Sequence, residues 1–182
     1  MSDNEKFLQF VLNAKKSKDR LIITPWNIDV IPDELYDLDF VEEIILVGNN
    51  INFISPKIQN LKSLKYLELI DCGISYIPEE LFNLTSLIRL VFTMNPIKEL
   101  SPSIGNLTNL KRLGISGTLI KEIPDEIKYL KQLKCLEIAN TPISHPLNSI
   151  LELPNLDRIV ISDYQEAFLP KKLVTLARVV PI

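Results

Sequence analysis

The sequence predicts an α/β repeat solenoid, a right-handed coil with a concave parallel sheet of about seven strands and short helical or 3-10 turns on its convex side. Three observations predict this architecture. Aliphatic residues recur every 23 positions. Apolar residues alternate around Leu67 and Leu69, which is typical of a half-buried strand. A proline or serine, often followed by acidic residues as at Pro78, also recurs once per period and favours a short helical turn.

The 23-residue spacing extends along nearly all of the 182 residues. One column of this spacing contains Leu38, Leu61, Leu84, Leu107, Leu130, Leu153 and Leu176. A second column contains Leu67, Leu90, Leu113, Leu136 and Ile159, and further aliphatic columns keep the same register. A single repeat cannot cover its own apolar side, so these columns indicate stacked repeats that share one continuous core.

The stretch from Leu61 to Leu69, followed by Cys72, Ile74 and Pro78, resembles a leucine-rich repeat. The resemblance covers roughly residues 20–176, and the repeats are similar to those of intracellular scaffolds, including Ras-pathway scaffold proteins, and of bacterial repeat proteins. It implies protein recognition without naming a partner. The family places an asparagine after each strand, and that column here contains Asn49, Cys72, Asn95, Thr118 and Thr141, with departures at Trp26 and Tyr164.

The two ends of the chain are predicted to cap the solenoid. Phe7, Phe10 and Val11 follow helical spacing after a Ser2 and Glu5 capping box, which indicates an amphipathic helix that seals the first repeat. We therefore expect one continuous domain with an N-terminal capping helix at 1–19, leucine-rich repeats at 20–176 and a C-terminal cap strand at 177–182. Val179 and Ile182 keep the 23-residue spacing and belong to that strand.

Composition argues against several classes of partner and cofactor. A net charge of −3 lacks the basic excess of a nucleic-acid-binding protein, so no nucleic acid is expected. Two cysteines and one histidine are too few for a disulfide framework or a structural zinc site, and we expect no metal and no cofactor. Neither a signal peptide nor a membrane-spanning apolar run is evident, so a cytoplasmic protein without a membrane partner is expected.

The sequence offers no convincing catalytic group. His145 is the only histidine, and Cys135 is predicted on an outward strand position of a different wall, so the two do not form a nucleophilic pair. Glu68 and Glu137 lie three strands apart, about 14 Å at the usual strand spacing. Glycosidase carboxylates are separated by about 5 to 9.5 Å. We therefore expect no enzymatic activity.

The alternation of the strands predicts which side chains face away from the core. Because Leu67 and Leu69 point inward, their neighbours point outward in every repeat. The expected partner-binding residues are Ile22, Ile45, Val47, Tyr66, Glu68, Ile70, Arg89, Val91 and Arg112. The apolar members form an exposed patch rimmed by charge, which marks a binding site unless they are simply good strand formers. The two arginines are either binding hot spots or a solvated pair offset by Glu68.

The predicted function is a non-catalytic protein–protein interaction module of the scaffold type. It binds an unidentified protein through the concave face and the adjoining loops, where Asp71, Met94, Asn140 and Asp163 lie. The alternative is a structural, self-associating repeat protein that uses the same face or an open end of the solenoid. We expect a monomer in preference to a homo-oligomer.

Overall fold

The computed structural model describes residues 1–17 and 27–180, with side chains described for 1–14 and 27–180. These ranges contain one α-helix, α1 (Asp3–Ser17), and seven strands. The strands are β1 (Glu43–Val47), β2 (Tyr66–Ile70), β3 (Arg89–Val91), β4 (Arg112–Gly114), β5 (Cys135–Glu137), β6 (Arg158–Ser162) and β7 (Ala177–Val180). Short 3-10 helices connect them, at Asp33–Asp37, Pro56–Asn60, Glu79–Asn83, Pro102–Asn106, Asp125–Tyr129, Asn148–Glu152, Asp163–Phe168 and Lys171–Leu176.

The seven strands form one parallel sheet in chain order, β1 to β7. Between β1 and β6 each paired residue aligns with the residue 23 positions later, so that Leu67 aligns with Leu90 and Leu90 with Leu113. One 3-10 helix lies in each crossover between neighbouring strands from β1 to β6, two lie between β6 and β7, and Asp33–Asp37 precedes β1. The predicted solenoid with a seven-stranded parallel sheet is confirmed.

The last repeat is shorter than the spacing predicts. Ile159 pairs with Ala177, only 18 residues later, and Ile161 pairs with Val179. In the other repeats a connecting turn separates the 3-10 helix from the next strand, whereas β7 follows Leu176 directly. The expectation that Val179 continues the 23-residue spacing is therefore wrong, and Ile182 lies outside the described residues.

The core is one continuous cluster of aliphatic and aromatic side chains, contributed by every repeat and extending from α1 to Leu169. At its N-terminal end Phe7 and Val11 are completely buried, so α1 packs on the first repeat as its apolar spacing predicts. The capping box is also confirmed. The amide of Glu5 donates to Ser2 Oγ at 3.2 Å, and the amide of Ser2 donates to Glu5 Oε2 at 2.7 Å.

Six of the eight described 3-10 helices begin directly after the predicted proline or serine, whereas Asn148–Glu152 follows Leu147 and Asp163–Phe168 follows Ser162. Ser55 Oγ accepts a hydrogen bond from the amide of Lys57 at 3.3 Å, which caps the helix Pro56–Asn60. In the next repeat Pro78 itself occupies the capping position, just before the helix and not inside its first turn. Its carbonyl accepts from the amide of Leu81 at 3.0 Å. Proline suits this position because its ring fixes φ near the observed −67°.

The asparagines in the column after the strands bind backbone groups of the preceding repeat as well as of their own. Asn95 Oδ1 accepts from the amides of Cys72 and Ile74, at 3.1 and 2.9 Å. Asn95 Nδ2 donates to the carbonyls of Leu69, Phe92 and Thr93, at 2.7 to 3.1 Å. This amide therefore joins two successive repeats, which satisfies backbone groups that burial would otherwise leave unpaired.

At the C-terminal end Gln165 takes the role that Asn95 has, although the preceding residue, Tyr164, occupies the predicted column. In the described part of the chain Tyr164 Oη donates only to the carbonyl of Thr141. Gln165 Nε2 donates to the carbonyl of Ile138 at 3.0 Å and to Thr141 Oγ1 at 2.9 Å. Its Oε1 accepts from the amide of Ser162 at 2.8 Å. The 3-10 helix that begins at Asp163 shifts the register, so a longer side chain reaches the carbonyls that an asparagine reaches elsewhere.

We predict that Asn95→Ala lowers the free energy of unfolding by about 2 to 5 kcal/mol, because two buried amides and several carbonyls lose their partner. Asn49→Ala is the matched control. Asn49 accepts from the amide of Ile28 and donates to the carbonyl of Val47, so its removal should cost roughly half as much. Equilibrium unfolding in urea measures both values. A loss below about 1 kcal/mol for Asn95→Ala contradicts the assigned role.

Candidate functional site

The parallel register brings the outward strand positions together on the concave face. One row across the sheet contains Glu43, Tyr66, Arg89, Arg112, Cys135 and Arg158. The next row contains Ile45, Glu68, Val91, Gly114, Glu137, Val160 and Arg178. Of the nine predicted partner-binding residues, eight therefore lie on neighbouring strands of one surface. The ninth, Ile22, lies outside the described residues.

The apolar part of this face is on β1 and β2. Val47 is 39% exposed, whereas Ile45, Tyr66 and Ile70 are half-buried. Ile45 and Ile70 are thus neither in the core nor freely solvated. Part of each aliphatic side chain is covered by the protein and part is exposed to water. Binding of a partner can therefore bury additional apolar area here.

Val91 does not belong to the exposed patch, so its prediction as an exposed residue is wrong. It is only 2% exposed, although its strand position faces outward. The cause is its neighbour Gly114. An ideal Cβ at Gly114 would lie 3.2 Å from Val91 Cγ1 and 3.2 Å from Glu137 Oε2. The side chains of Val91 and Glu137 therefore fill the space that a larger residue would occupy, and Val91 becomes part of a packed layer.

Two ion pairs flank this packed layer. Arg89 Nη1 lies 2.7 Å from Glu68 Oε1, and the Arg89 guanidinium lies 5.5 Å from the centre of the Tyr66 ring. Arg112 Nη2 lies 2.8 Å from Glu137 Oε1. Both carboxylates are largely buried, whereas both arginines remain partly exposed. Each arginine therefore has its own glutamate, which differs from the predicted alternative of one pair offset by Glu68 alone.

The Arg112–Glu137 pair also affects two pKa values, that of Arg112 and that of the Cys135 thiol. Burial acts to lower the pKa of Arg112, but the hydrogen bond and charge of Glu137 outweigh it and the pKa is raised. Burial raises the pKa of the Cys135 thiol to about 11, and the charge and hydrogen bond of Glu137 act in the same direction. Cys135 Sγ lies 3.5 Å from Glu137 Oε1. At neutral pH this thiol is protonated and is a poor nucleophile.

The single histidine lies away from this thiol. His145 is exposed in the segment after β5 and is not hydrogen-bonded to Cys135. In residues 1–17 and 27–180 no three His, Cys, Asp or Glu side chains are placed to hold a metal ion. No helix in the same ranges is long and apolar enough to cross a bilayer.

The loops beside the sheet begin with a residue in the left-handed region. Four of these positions are occupied by Gly48, Asp71, Gly117 and Asn140, all residue types that tolerate positive φ. The fifth is Met94, with φ +58°, and its side chain is exposed. An ideal Cβ at Gly117 would lie 3.3 Å from Met94 Cγ, so the methionine lies across the next loop.

Sequence reasoning missed a group of exposed apolar side chains on the flank between the sheet and the 3-10 helices. Val30, Phe53 and Tyr76 are each more than half exposed and occupy the same position in three successive repeats. The signal was present in the sequence, because this column is apolar in these three repeats and then changes to Glu99 and Glu122. The outward strand columns alone therefore underestimate the apolar surface.

Two solved structures with the same kind of fold are similar to this chain. The chain is similar to a leucine-rich repeat protein of Leptospira interrogans, with a TM-score of 0.72 and 26% identity, and the match covers 84% of this chain and 39% of that one. It is also similar to internalin C2 of Listeria monocytogenes, with a TM-score of 0.71 and 25% identity over 84% of this chain and 66% of the other. The chain is a leucine-rich repeat protein.

The similarity covers only part of each related structure. This leucine-rich repeat chain spans less than two thirds of the length of both structures. No family model matches it, and no curated protein matches it. Similarity therefore establishes the leucine-rich repeat fold and the general class of protein-interaction repeat.

We predict that Cys135 reacts with iodoacetamide at pH 7.5 about a hundredfold more slowly than an unperturbed thiol, because its pKa is raised from 9.0 to about 11. The rate should rise about tenfold per pH unit until the pH approaches that value. Glu137→Gln removes the neighbouring charge and should accelerate the reaction at pH 7.5. Mass spectrometry of the alkylated peptide separates Cys135 from the buried Cys72. A rate equal to that of free cysteine at pH 7.5 contradicts the raised pKa.

Proposed function

We propose that the chain is a non-catalytic module that binds another protein through its concave face and the adjoining loops. The observation that carries this proposal is the cluster of partly exposed apolar side chains on β1 and β2, Ile45, Val47, Tyr66 and Ile70, beside the ordered Arg89–Glu68 pair. Aromatic and arginine side chains held in place by neighbours lose little freedom when a partner covers them. A parallel sheet supplies the rigid support.

The size of the face defines how it is used. Seven strands at about 4.8 Å spacing and about 15 Å long offer roughly 450 Å² in plan. A standard interface buries about 800 Å² on each partner. The loops that begin at Asp71, Met94 and Asn140 border the sheet and supply additional area, and Met94 is an exposed apolar side chain among them. A partner of ordinary affinity therefore contacts the loops as well as the strands.

Three features of the same face support a non-catalytic role. The Cys135 thiol is protonated at neutral pH. Glu68 and Glu137 each bind an arginine and lie three strands apart, about 14 Å, so they do not form a hydrolytic pair. The space over Gly114 is filled by neighbouring side chains and leaves no concave pocket for a small substrate there.

We predict that the double variant Val47→Glu/Ile70→Glu captures at least tenfold less of each protein partner from a lysate of the source cells than wild type does. A glutamate in an apolar contact must be desolvated without a counterion, and about 1.4 kcal/mol is already a factor of ten. Leu151→Glu is the control, because Leu151 is an exposed aliphatic residue in a 3-10 helix away from the sheet. Quantitative mass spectrometry compares wild type, the double variant and the control. Partners retained equally by all three remove the concave face from the proposal.

A second function, self-association, is favoured by the C-terminal end of the solenoid. Val179 is 48% exposed, although it aligns with Ile161, which is completely buried. Leu173 is half-buried, whereas its counterpart Ile150 one repeat earlier is completely buried. Within the described residues β7 pairs only with β6, and the proposed second copy would pair along its other side.

This second function predicts a molar mass in light scattering that rises with concentration from 20.8 kDa toward twice that value. Val179→Lys should abolish the rise, because a charge at the exposed core position opposes pairing of two β7 strands. The variant Val47→Glu/Ile70→Glu should leave the rise unchanged. A mass that stays near 20.8 kDa at every concentration excludes self-association through this end.

A further inference from the structure

The concave face, together with the adjoining edge of the sheet at which the strands begin, is divided by charge along the solenoid. Strands β4 to β7, together with the residues directly before β4, β5 and β6, carry five positive and two negative side chains. We call this surface the basic half; its positive residues are Lys111, Arg112, Lys134, Arg158 and Arg178. The corresponding positions of β1 to β3 carry three negative and two positive side chains. The chain as a whole has a charge of −3, so the basic half opposes the overall charge.

The positive groups of the basic half are available to a ligand. Lys111, Lys134, Arg158 and Arg178 are exposed. Among the described side chains the only carboxylate that forms a salt bridge with any of the five is Glu137, which binds Arg112. The charges of Arg112 and Arg158 both act to lower the pKa of Cys135 between them, so the two guanidinium groups lie close to one point on the surface.

Such an arrangement is unfavourable in the free protein. Like charges on neighbouring strands repel each other, and each close pair costs a few tenths of a kcal/mol at an exposed site. The 23-residue repeat does not require them, because the equivalent positions on β1 and β2 are Glu43 and Tyr66. A bound anionic group converts this repulsion into attraction, and arginine side chains suit carboxylates because their donors form a fork.

Resting on the proposed function, we propose that the basic half docks an acidic segment of the protein partner, while Val47 and Ile70 contact an apolar part of the same partner. The basic half spans three strand spacings, about 14 Å, which is the length of about four extended residues. Two to four aspartate or glutamate side chains within such a segment match its charge. The two contact areas are about 14 Å apart when measured from β2 to β5.

A polypeptide fits this face better than a nucleic acid. A nucleic acid strand carries a negative charge on every nucleotide, and beyond the basic half it would cross the positions of Glu42, Glu43 and Glu68. A protein segment can place its acidic residues over the basic half and its apolar residues over β1 and β2. The net charge of −3 also opposes general attraction of a polyanion.

The test is a selection of displayed random twelve-residue peptides on three immobilised full-length proteins. The first is wild type and the second is Lys134→Glu/Arg158→Glu/Arg178→Glu. The third, Lys98→Glu/Lys121→Glu/Lys171→Glu, makes the same change in net charge at exposed lysines that lie outside the strands. Thermal unfolding of each protein verifies that the surface substitutions leave the fold intact.

Peptides selected on wild type and on the Lys98/Lys121/Lys171 variant should be enriched in aspartate and glutamate, and those selected on the Lys134/Arg158/Arg178 variant should not. The strongest acidic peptide, measured in solution, should bind that variant at least tenfold more weakly than wild type. Its affinity for wild type should fall as salt rises from 50 to 300 mM, because the contact is electrostatic. A single-stranded DNA of twelve nucleotides should bind more weakly than this peptide.

Selected peptides without an acidic bias, or acidic peptides that bind all three proteins equally, overturn the inference. Equal or tighter binding of the DNA also overturns it. Val47→Glu/Ile70→Glu distinguishes this failure from failure of the proposed function. Non-acidic peptides that lose binding to that variant leave the concave face as a protein-binding site. Non-acidic peptides, or acidic peptides bound equally by all three proteins, contradict the concave face as well if they keep binding to that variant, and so does an absence of enrichment on wild type.

Discussion

The structure depends on the burial of aliphatic columns between stacked repeats. One repeat exposes most of its own apolar side, and only the next repeat covers it, so the strands from β1 to β6 align with the residues 23 positions away. Burial of a leucine or isoleucine contributes about 1.5 to 3 kcal/mol, and each repeat contributes several. The buried amides of Asn95 and Gln165 satisfy the turns that this stacking removes from water. Core, register and turns therefore follow from one constraint.

The same constraint leaves the outward positions free to differ. Inward columns accept only residues that fill the core, whereas the row from Glu43 through Tyr66, Arg89 and Arg112 changes its chemistry from strand to strand. The division into an apolar part on β1 and β2 and a basic half on β4 to β7 is thus not imposed by folding. Positions that packing does not determine are those at which binding properties are encoded.

The sequence predicted the register and the outward positions because both follow from period and alternation. It did not predict that Val91 is buried, since this depends on the missing side chain at Gly114 in the next strand and on the reach of Glu137. It did not predict the early start of β7, because the leucine spacing continues through Leu173 and Leu176 after the connecting turn has been lost. Periodicity determines where the backbone lies. Burial of a surface side chain depends on the sizes of its neighbours across the sheet.

Met94 connects the backbone constraint to the proposed binding surface. A left-handed residue is needed there to end the strand, and its amide donates to the carbonyl of Ser116 at 2.8 Å, which fixes the turn against the next repeat. A non-glycine residue in this conformation costs roughly 1 to 2 kcal/mol, and four equivalent positions avoid or reduce that cost with Gly, Asp or Asn. The methionine thus costs stability and places a flexible apolar side chain in water at the edge of the concave face. Under the proposed function, contact with a partner would offset this cost, because burying the thioether there recovers free energy that the isolated fold does not.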